Sequence, residues 1–222
     1  GDINGDGFAD LVIGNSGDLE QNTGYSSVEI RYGGTNGYPS DPDMSFQSSM
    51  SGSLFGYDVE IINDLNGDGL DEIIISEPYN LSGNFNAGSL WIFLGNSTSL
   101  NSEPDYKING EANQQIALNV ESIGDSNIDG YNDFTVVSRD ENGDGIIRLY
   151  SGGVGDFTSD YVTVAKGESS LGLASSFNFD SNGDGLVEYI FSQESISSDG
   201  SYNSSLYHYS RNIWQNLKIS VD

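Results

Sequence analysis

Four stretches of the sequence place acidic and amide side chains at alternate positions, a spacing suited to binding a metal ion. They read DINGDGFAD from Asp2, DLNGDGLDE from Asp64, DSNIDGYND from Asp125 and DSNGDGLVE from Asp180. Each has Asp, Asn and Asp at positions 1, 3 and 5, Gly at position 6, and Asp or Glu at position 9. Carboxylates this close repel one another at neutral pH, so their clustering indicates a cation between them.

Calcium is the cation that fits this pattern best. It takes about six to eight oxygen ligands in irregular geometry, whereas magnesium requires a tighter octahedron and retains its waters. By analogy with other calcium loops, position 7 should add a backbone carbonyl. The sequence therefore predicts about four Ca²⁺ sites, with these ligands: Asp2, Asn4, Asp6, Phe8 and Asp10 in loop 1; Asp64, Asn66, Asp68, Leu70 and Glu72 in loop 2; Asp125, Asn127, Asp129, Tyr131 and Asp133 in loop 3; Asp180, Asn182, Asp184, Leu186 and Glu188 in loop 4.

Two other interpretations of these loops are a solvated acidic turn without metal and an EF-hand. A single copy would fit the bare turn, but four copies with the same apolar flanks argue against it. An EF-hand requires a Glu at position 12 and flanking helices. Position 12 is instead apolar and falls within a predicted strand in every loop: Ile13, Ile75, Val136 and Phe191.

A fifth stretch, DENGDGIIR from Asp140, resembles the loops but lacks the last carboxylate. Its position 9 is Arg148, a cation where an acidic ligand belongs. It also falls where the other units enter their third strand. We predict a hairpin turn here and no metal site.

The loops belong to a longer repeat, because their leading Asp residues lie 62, 61 and 55 residues apart. Recurrence at such a period is typical of repeat architectures. Each unit offers short, β-rich apolar runs. The second strands begin nine residues after the leading Asp, at Leu11, Ile73, Phe134 and Tyr189. The first strands begin at apolar–small pairs: Phe55-Gly56, Ile116-Ala117 and Leu171-Gly172. The third strands begin at Ser27, Ser89, Ile146 and Ser205, and the fourth are DMSFQ, DYKING, DYVTVAKGE and LKISVD.

Four strands per unit and no helical pattern predict an all-β fold: a β-propeller of four-stranded antiparallel blades, with calcium loops between first and second strands. A pair of β-sandwiches is the alternative. Residues 1–222 would form a single propeller domain or part of one, with blades over residues 1–51, 52–113, 114–169 and 170–222. The first blade lacks its first strand, and we expect upstream chain or a strand from a neighbouring molecule to fill the gap.

Composition excludes several classes of function. The chain has 222 residues, 34 acidic and 7 basic, with a formal net charge of -27. Nucleic acids are therefore not expected partners, because phosphates require Lys and Arg, and anionic membranes are disfavoured. The chain contains no Cys and a single His, His208, so disulfides and nucleophile–base triads are not expected. No apolar run approaches the roughly 20 residues that span a bilayer, and the opening GDINGDG reads as a mature or trimmed start.

The loops and their flanking strands together resemble the FG-GAP repeat of integrin α-subunit propellers and many bacterial surface proteins. The resemblance covers nearly the whole chain. Phe-Gly is kept only at Phe55-Gly56, and the Gly-Ala-Pro element appears at most as Ser76–Pro78. The resemblance implies a non-enzymatic, extracellular or cell-surface module for adhesion or protein interaction. Its ligand would be a protein or a glycan.

Three other functions are compatible with the residues. A carbohydrate-binding propeller would use exposed rings in predicted turns, at Tyr25, Tyr38, Tyr79 and Tyr202. A subunit of a surface fibre would complete its first blade with a neighbour's strand. An enzyme such as a polysaccharide lyase has the least support, because most clustered carboxylates are assigned to metal. Possible glycosylation sites are the three sequons at Asn80, Asn96 and Asn203.

Overall fold

The computed structural model describes most of the first three units and the backbone of strands in the fourth. The described residues are 1–17, 26–79, 86–155, 158, 161–167, 171–172, 175–179, 188–196, 202–210 and 213–215. In this part of the chain there is no α-helix, and consequently no helix long and apolar enough to cross a membrane.

Fifteen strands occur in the described residues, all paired in antiparallel fashion. They are β1 (Leu11–Asn15), β2 (Ser27–Arg31), β3 (Met44–Gln47), β4 (Val59–Asn63), β5 (Asp71–Glu77), β6 (Ser89–Phe93), β7 (Tyr106–Asn109), β8 (Asn119–Gly124), β9 (Asp133–Arg139), β10 (Gly145–Tyr150), β11 (Tyr161–Gly167), β12 (Ser175–Phe179), β13 (Glu188–Ile196), β14 (Tyr202–Ser210) and β15 (Ile213–Gln215).

The strands form four sheets in which sequence neighbours pair. A three-stranded sheet, β1-β2-β3, precedes the four-stranded sheets β4-β5-β6-β7, β8-β9-β10-β11 and β12-β13-β14-β15. We refer to these as blades 1 to 4. The leading strands contact one another in an open row, β1 to β4, β4 to β8 and β8 to β12. The all-β, four-stranded antiparallel prediction is confirmed, and so is the position of the acidic loops before each second strand.

Several strand boundaries differ from the sequence prediction. The first strands of blades 2, 3 and 4 begin three or four residues later than predicted, in blade 2 at Val59 and not at Phe55. The third strand of blade 4 begins at Tyr202, three residues before Ser205, so Tyr202 lies in a strand and not in a turn. The fourth strand of that blade is Ile213–Gln215, whereas the whole of the predicted LKISVD lies outside the described residues.

The late start of the first strands follows from the backbone of the apolar–small pairs. Gly56, Ala117 and Gly172 have φ of 74°, 75° and 74°. This left-handed conformation interrupts an extended strand and favours glycine. At Gly56 a Cβ would lie 2.7 Å from a methyl of Val28 in blade 1, so the small residue also allows the blades to approach. The Phe-Gly signal therefore marks a turn between blades.

The hydrophobic core lies between successive blades. Val28, Ile30 and Phe46 of blade 1 pack with Ile73 and Ile75 of blade 2. A second cluster joins blades 2 and 3, and a third joins blade 3 to Leu171 and Phe191 of blade 4. Each blade thus buries its faces only against its neighbours, as expected for a repeat architecture.

Two carboxylates on the leading edge of blade 2 bond to the backbone of blade 3. Asp58 Oδ2 accepts a hydrogen bond from Val120 N at 2.7 Å, and Glu60 Oε1 accepts one from Ser122 N at 3.1 Å. The edge amides of β8 are satisfied in this way. Burial, together with the nearby carboxylates of Glu121 and Asp58, raises the pKa of Glu60 from 4.5 to about 7. Burial likewise raises the pKa of Asp58.

Glu60→Gln should flatten the dependence of stability on pH. A carboxyl with a raised pKa holds its proton more tightly in the folded state, so this group's contribution to stability falls as pH rises from 4.5 to about 7. Chemical denaturation in EGTA should show that, over this pH range, the free energy of unfolding of the wild type falls by about 2 kcal/mol more than that of Glu60→Gln. The amide can still accept the bond from Ser122.

Other buried carboxylates titrate in both proteins, so the difference between the two curves isolates Glu60. Glu103→Gln changes an exposed carboxylate before β7 and should retain the wild-type slope. Parallel curves for the wild type and Glu60→Gln would contradict the prediction.

Candidate metal centre

The first Asp of loops 1 and 3 is bonded to the loop's own backbone. Asp2 Oδ1 accepts a hydrogen bond from Asp6 N at 3.1 Å, and Asp2 Oδ2 accepts one from Gly7 N at 2.9 Å. Asp125 accepts the same pair of bonds in loop 3. The Asp at position 1 therefore curls the chain around its carboxylate, a turn that Asp and Asn favour through side-chain acceptance of backbone N–H groups.

Positions 3 and 5 repeat this turn chemistry one step further along each loop. In loop 2, Asn66 Oδ1 accepts from Asp68 N at 2.8 Å, and Asp68 Oδ1 accepts from Leu70 N at 2.9 Å. Loops 1 and 3 make the same bonds. Alternate side-chain oxygens are thus folded onto the loop by the sequence itself, before any ion is considered.

The carboxylate at position 9 is buried in all four units. The exposed fractions of Asp10, Glu72, Asp133 and Glu188 are 5%, 0%, 0% and 1%. In loops 1, 2 and 3 this carboxylate accepts a bond from the backbone N–H of position 2, at 2.7, 2.5 and 2.9 Å. It therefore connects the start of each loop to the start of the strand that follows.

The same carboxylate also reaches the end of the third strand, a contact that the sequence prediction missed. Asp10 Oδ1 accepts from Gly33 N at 2.8 Å, and Asp133 Oδ1 accepts from Gly152 N at 2.9 Å. A Cβ at Gly152 would lie 2.6 Å from the carbonyl oxygen of Leu65. The recurrent glycine after the third strand, as in RYGG and YSGG, was the available signal.

The electrostatics of loop 2 leave an excess of negative charge. Glu72 Oε1 and Asp64 Oδ1 are buried and have no hydrogen-bond partner. Burial, together with the charges of Asp68 and Asp64, raises the pKa of Glu72 to about 8. Burial also raises the pKa of Asp10 and of Asp133. Two unpartnered carboxylate oxygens within one loop fit a bound cation, which would stabilise their charged forms.

Acidic side chains alone do not form a cage in this structure. Within the described ranges, no group of three or more His, Cys, Asp or Glu side chains is placed to hold a metal ion. A cation in these loops would therefore depend also on neutral oxygens, from the Asn at position 3 and the backbone at position 7. Such mixed carboxylate, amide and carbonyl ligand sets are typical of calcium.

The fifth acidic stretch is a hairpin turn, as predicted. It joins β9 to β10, and Asp140 Oδ1 accepts bonds from Asn142 N and Asp144 N at 2.8 and 3.0 Å. Lys166 lies 2.5 Å from Asp140 Oδ2 and lowers the pKa of that carboxyl to about 2. A lysine thus supplies the positive charge at this turn.

Several predicted positions have no described side-chain geometry. In loop 4, Asp180, Asn182, Asp184 and Leu186 lie outside the described residues, as do Asn80 and Tyr25. Asn96 is exposed, and its Oδ1 accepts bonds from both the backbone and the hydroxyl of Thr98. The backbone of Asn203 and His208 belongs to β14. Glycosylation of the sequons stays a prediction.

Comparison with known proteins supports the resemblance seen in the loops. The family model described as FG-GAP repeat matches residues 1–28 and 55–93. Integrin alpha-8 of Gallus gallus is 28% identical over 200 residues, covering 85% of this chain and 18% of the relative. Integrin alpha-6 of Gallus gallus is 30% identical over 127 residues, covering 56% of this chain and 12% of the relative. Integrin alpha-PS5 of Drosophila melanogaster is 30% identical over 92 residues, covering 41% of this chain and 9% of the relative.

The chain carries FG-GAP repeats and is similar to integrin alpha subunits, so the resemblance stated from its sequence is confirmed. It spans less than a fifth of the length of these relatives.

Ile128→Gly should stabilise the protein. Ile128 occupies position 4 of loop 3, where loops 1 and 2 have Gly, and its φ is 61° although its side chain is 68% exposed. A β-branched residue in this conformation is strained by about 1–2 kcal/mol, and glycine removes the strain. Thermal denaturation in EGTA should show a rise in Tm of several degrees.

Gly130→Ala is the matched control, because Gly130 lies two residues away with φ of 94° and open space at its Cβ. This variant should lose stability. An unchanged or lowered Tm for Ile128→Gly would show that the loop is not strained there.

Proposed function

We propose that the acidic loops bind calcium through the predicted ligand positions and that calcium stabilises the row of blades. The single observation that carries this proposal is that one loop holds two buried carboxylate oxygens without a hydrogen-bond partner, Oε1 of the fully buried Glu72 and Oδ1 of Asp64. The ligands would be positions 1, 3, 5, 7 and 9 of each loop as given above. A hard cation there would replace the missing hydrogen bonds and offset the repulsion among neighbouring carboxylates.

Calcium would act on stability because its ligands belong to two parts of each blade. Positions 1 to 7 lie in the loop, whereas Asp10, Glu72, Asp133 and Glu188 stand where the second strand begins. An ion held by both would prevent the loop from separating from the sheet. A site at 100 times its dissociation constant adds about 2.7 kcal/mol to stability, which is a large share for a domain without disulfides.

The wider function that we propose is a non-enzymatic, extracellular FG-GAP β-propeller module for adhesion or protein interaction. The proposal is supported by the repeats and by the similarity to integrin alpha subunits, whose sequences this chain matches over up to 85% of its length. The net charge of -27 favours cationic or neutral protein surfaces over nucleic acid as partners.

A surface fibre is a second candidate, favoured by the edge of blade 1. Strand β1 pairs only with β2 among the described strands, and its burial pattern is mostly exposed, with Leu11 36% and Ile13 40% exposed. A strand that pairs with β1 would complete the four-stranded pattern of the other blades. Such a strand could come from the same chain or from a neighbouring copy.

Carbohydrate binding is a further candidate with narrower support. Tyr38 is 49% exposed between β2 and β3, a position where its ring can stack on a sugar. Tyr79 is only partly exposed. Two neighbouring exposed rings would make a stronger platform than Tyr38 alone.

Glu72→Gln should reduce the stabilisation by calcium. In EGTA the variant and the wild type should both fold, because the amide can still accept the bond from Leu65. Adding CaCl₂ to about 100 times the dissociation constant should raise the Tm of the wild type, and the variant should lose roughly the 2.7 kcal/mol that one site contributes at that concentration.

Asp144→Asn is the matched control for this measurement. It removes the position-5 carboxylate of the hairpin turn between β9 and β10 and should keep the full calcium response. An equal calcium-induced rise in the wild type and Glu72→Gln, or no rise in the wild type, would refute the calcium proposal.

The interaction proposal predicts calcium-dependent binding to proteins and little binding to sugars. The purified chain would be applied to immobilised extracellular-matrix proteins and to a glycan array, each in calcium and in EGTA. Saturable binding to a matrix protein that is lost in EGTA supports the adhesion module. Binding that occurs only on the glycan array, and that Tyr38→Ala abolishes, would support carbohydrate binding instead.

A further inference from the structure

The acidic loops of neighbouring blades contact one another through their positions 4 and 7. A Cβ added at Gly5 in loop 1 would lie 2.6 Å from Cδ2 of Leu70 in loop 2, and one added at Gly67 in loop 2 would lie 2.5 Å from Cε1 of Tyr131 in loop 3. The side chain at position 7 of one loop therefore covers the backbone of position 4 in the preceding loop. A side chain at Gly67 would therefore have to displace the ring of Tyr131.

Backbone hydrogen bonds join the same loops. Asp71 N, at position 8 of loop 2, donates to the carbonyl of Asp2 at 3.3 Å. Asn132 N, at position 8 of loop 3, donates to the carbonyl of Asp64 at 3.4 Å. Both acceptors are position 1 of the preceding loop, so the first ligand residue of one site is bonded to the residue just before the last ligand of the next site.

The side chains at position 8 strengthen this connection. Asp71 Oδ2 accepts a hydrogen bond from Asp2 N at 2.6 Å, and Asn132 Nδ2 donates to the carbonyl of Asn63. The carbonyls of position 2 are also used, since Gly153 N donates to Leu65 O at 2.9 Å. Position 8 has no part in the predicted ligand sets, yet it contacts the neighbouring loop in both junctions that the structure describes.

We propose that these junctions couple adjacent cation sites, so that occupancy of one loop strengthens binding in the next. This inference rests on the proposed calcium sites. The residue whose carbonyl would bind calcium at position 7 is the same residue whose side chain covers the preceding loop. An ion that fixes the backbone of Tyr131 therefore also fixes the ring over Gly67. Typical coupling between sites changes affinity by about fivefold or more.

Gly67→Ala and Gly69→Ala separate this coupling from local damage to loop 2. Both glycines have the same backbone conformation, with φ of 84° and 86°, so both variants incur a similar cost within loop 2. Only Gly67→Ala displaces Tyr131, because a Cβ at Gly69 meets nothing within 4 Å. The readout must lie in loop 3, whose sequence neither substitution changes.

The Gly130 amide provides that readout, because it donates to Asp125 Oδ2 within loop 3 at 2.9 Å. Its ¹⁵N-HSQC resonance would be followed during titration with CaCl₂ alone. We expect Gly67→Ala to raise the CaCl₂ concentration at the midpoint of the Gly130 titration by about fivefold or more relative to the wild type. Gly69→Ala should leave that concentration within about twofold of the wild-type value. Equal midpoints in the two variants would overturn the coupling.

A second pair of variants keeps the test valid if Gly67→Ala fails to fold. Tyr131→Ala removes the ring without backbone strain and should weaken calcium binding in loop 2, followed at the Gly69 amide. Tyr131→Leu restores the apolar cover found at position 7 of loop 2 and should bind as the wild type does. Equal Gly69 midpoints in both variants would overturn the coupling. If no loop glycine of the wild type responds to calcium, the calcium sites themselves are refuted, and this inference fails with them.

Discussion

A carboxylate buried at the start of each second strand is the feature on which the rest of the structure depends. Asp10, Glu72, Asp133 and Glu188 are almost without exposure, although an isolated buried charge is strongly unfavourable. Backbone N–H groups from the loop and from the end of the third strand offset part of that cost in loops 1 and 3. In loop 2, Glu72 Oε1 makes no hydrogen bond of normal geometry, although the nearby Gly95 N–H lowers the pKa of this carboxyl. The calcium ion that we propose would supply further compensation.

The sequence predicted the sheets well because their order follows from short-range patterns. Apolar runs at a fixed distance from each acidic loop indicated the second strands, and β5 and β9 include the predicted starts. The first strands were predicted to begin too early, because Gly56 and its equivalents have positive φ. Periodicity reports which residues are apolar, but it does not report where the backbone turns between blades.

The contacts between loops could not be predicted in the same way. They depend on how one blade packs on the next, which no single repeat encodes. Gly67 at position 4 had no predicted role, yet a side chain there would meet the ring of Tyr131. Asp71 at position 8 also had no predicted role, yet it accepts a bond from Asp2 N in the preceding loop. Comparing the loops as neighbours is what reveals both roles.

Stability in such a row is a sum of blade and interface contributions, so each interface must be favourable by itself. The interfaces here combine three kinds of contact: apolar clusters in the interior, carboxylates such as Asp58 on the edge amides of β8, and junctions between acidic loops. A formal charge of -27 opposes the first kind through general repulsion. About four Ca²⁺ ions would reduce that charge to -19, since each adds two positive charges. Because the proposed ions would lie in the loops that form the junctions, they would offset repulsion between the carboxylates of neighbouring blades, which links the acidity of the chain to its repeat architecture.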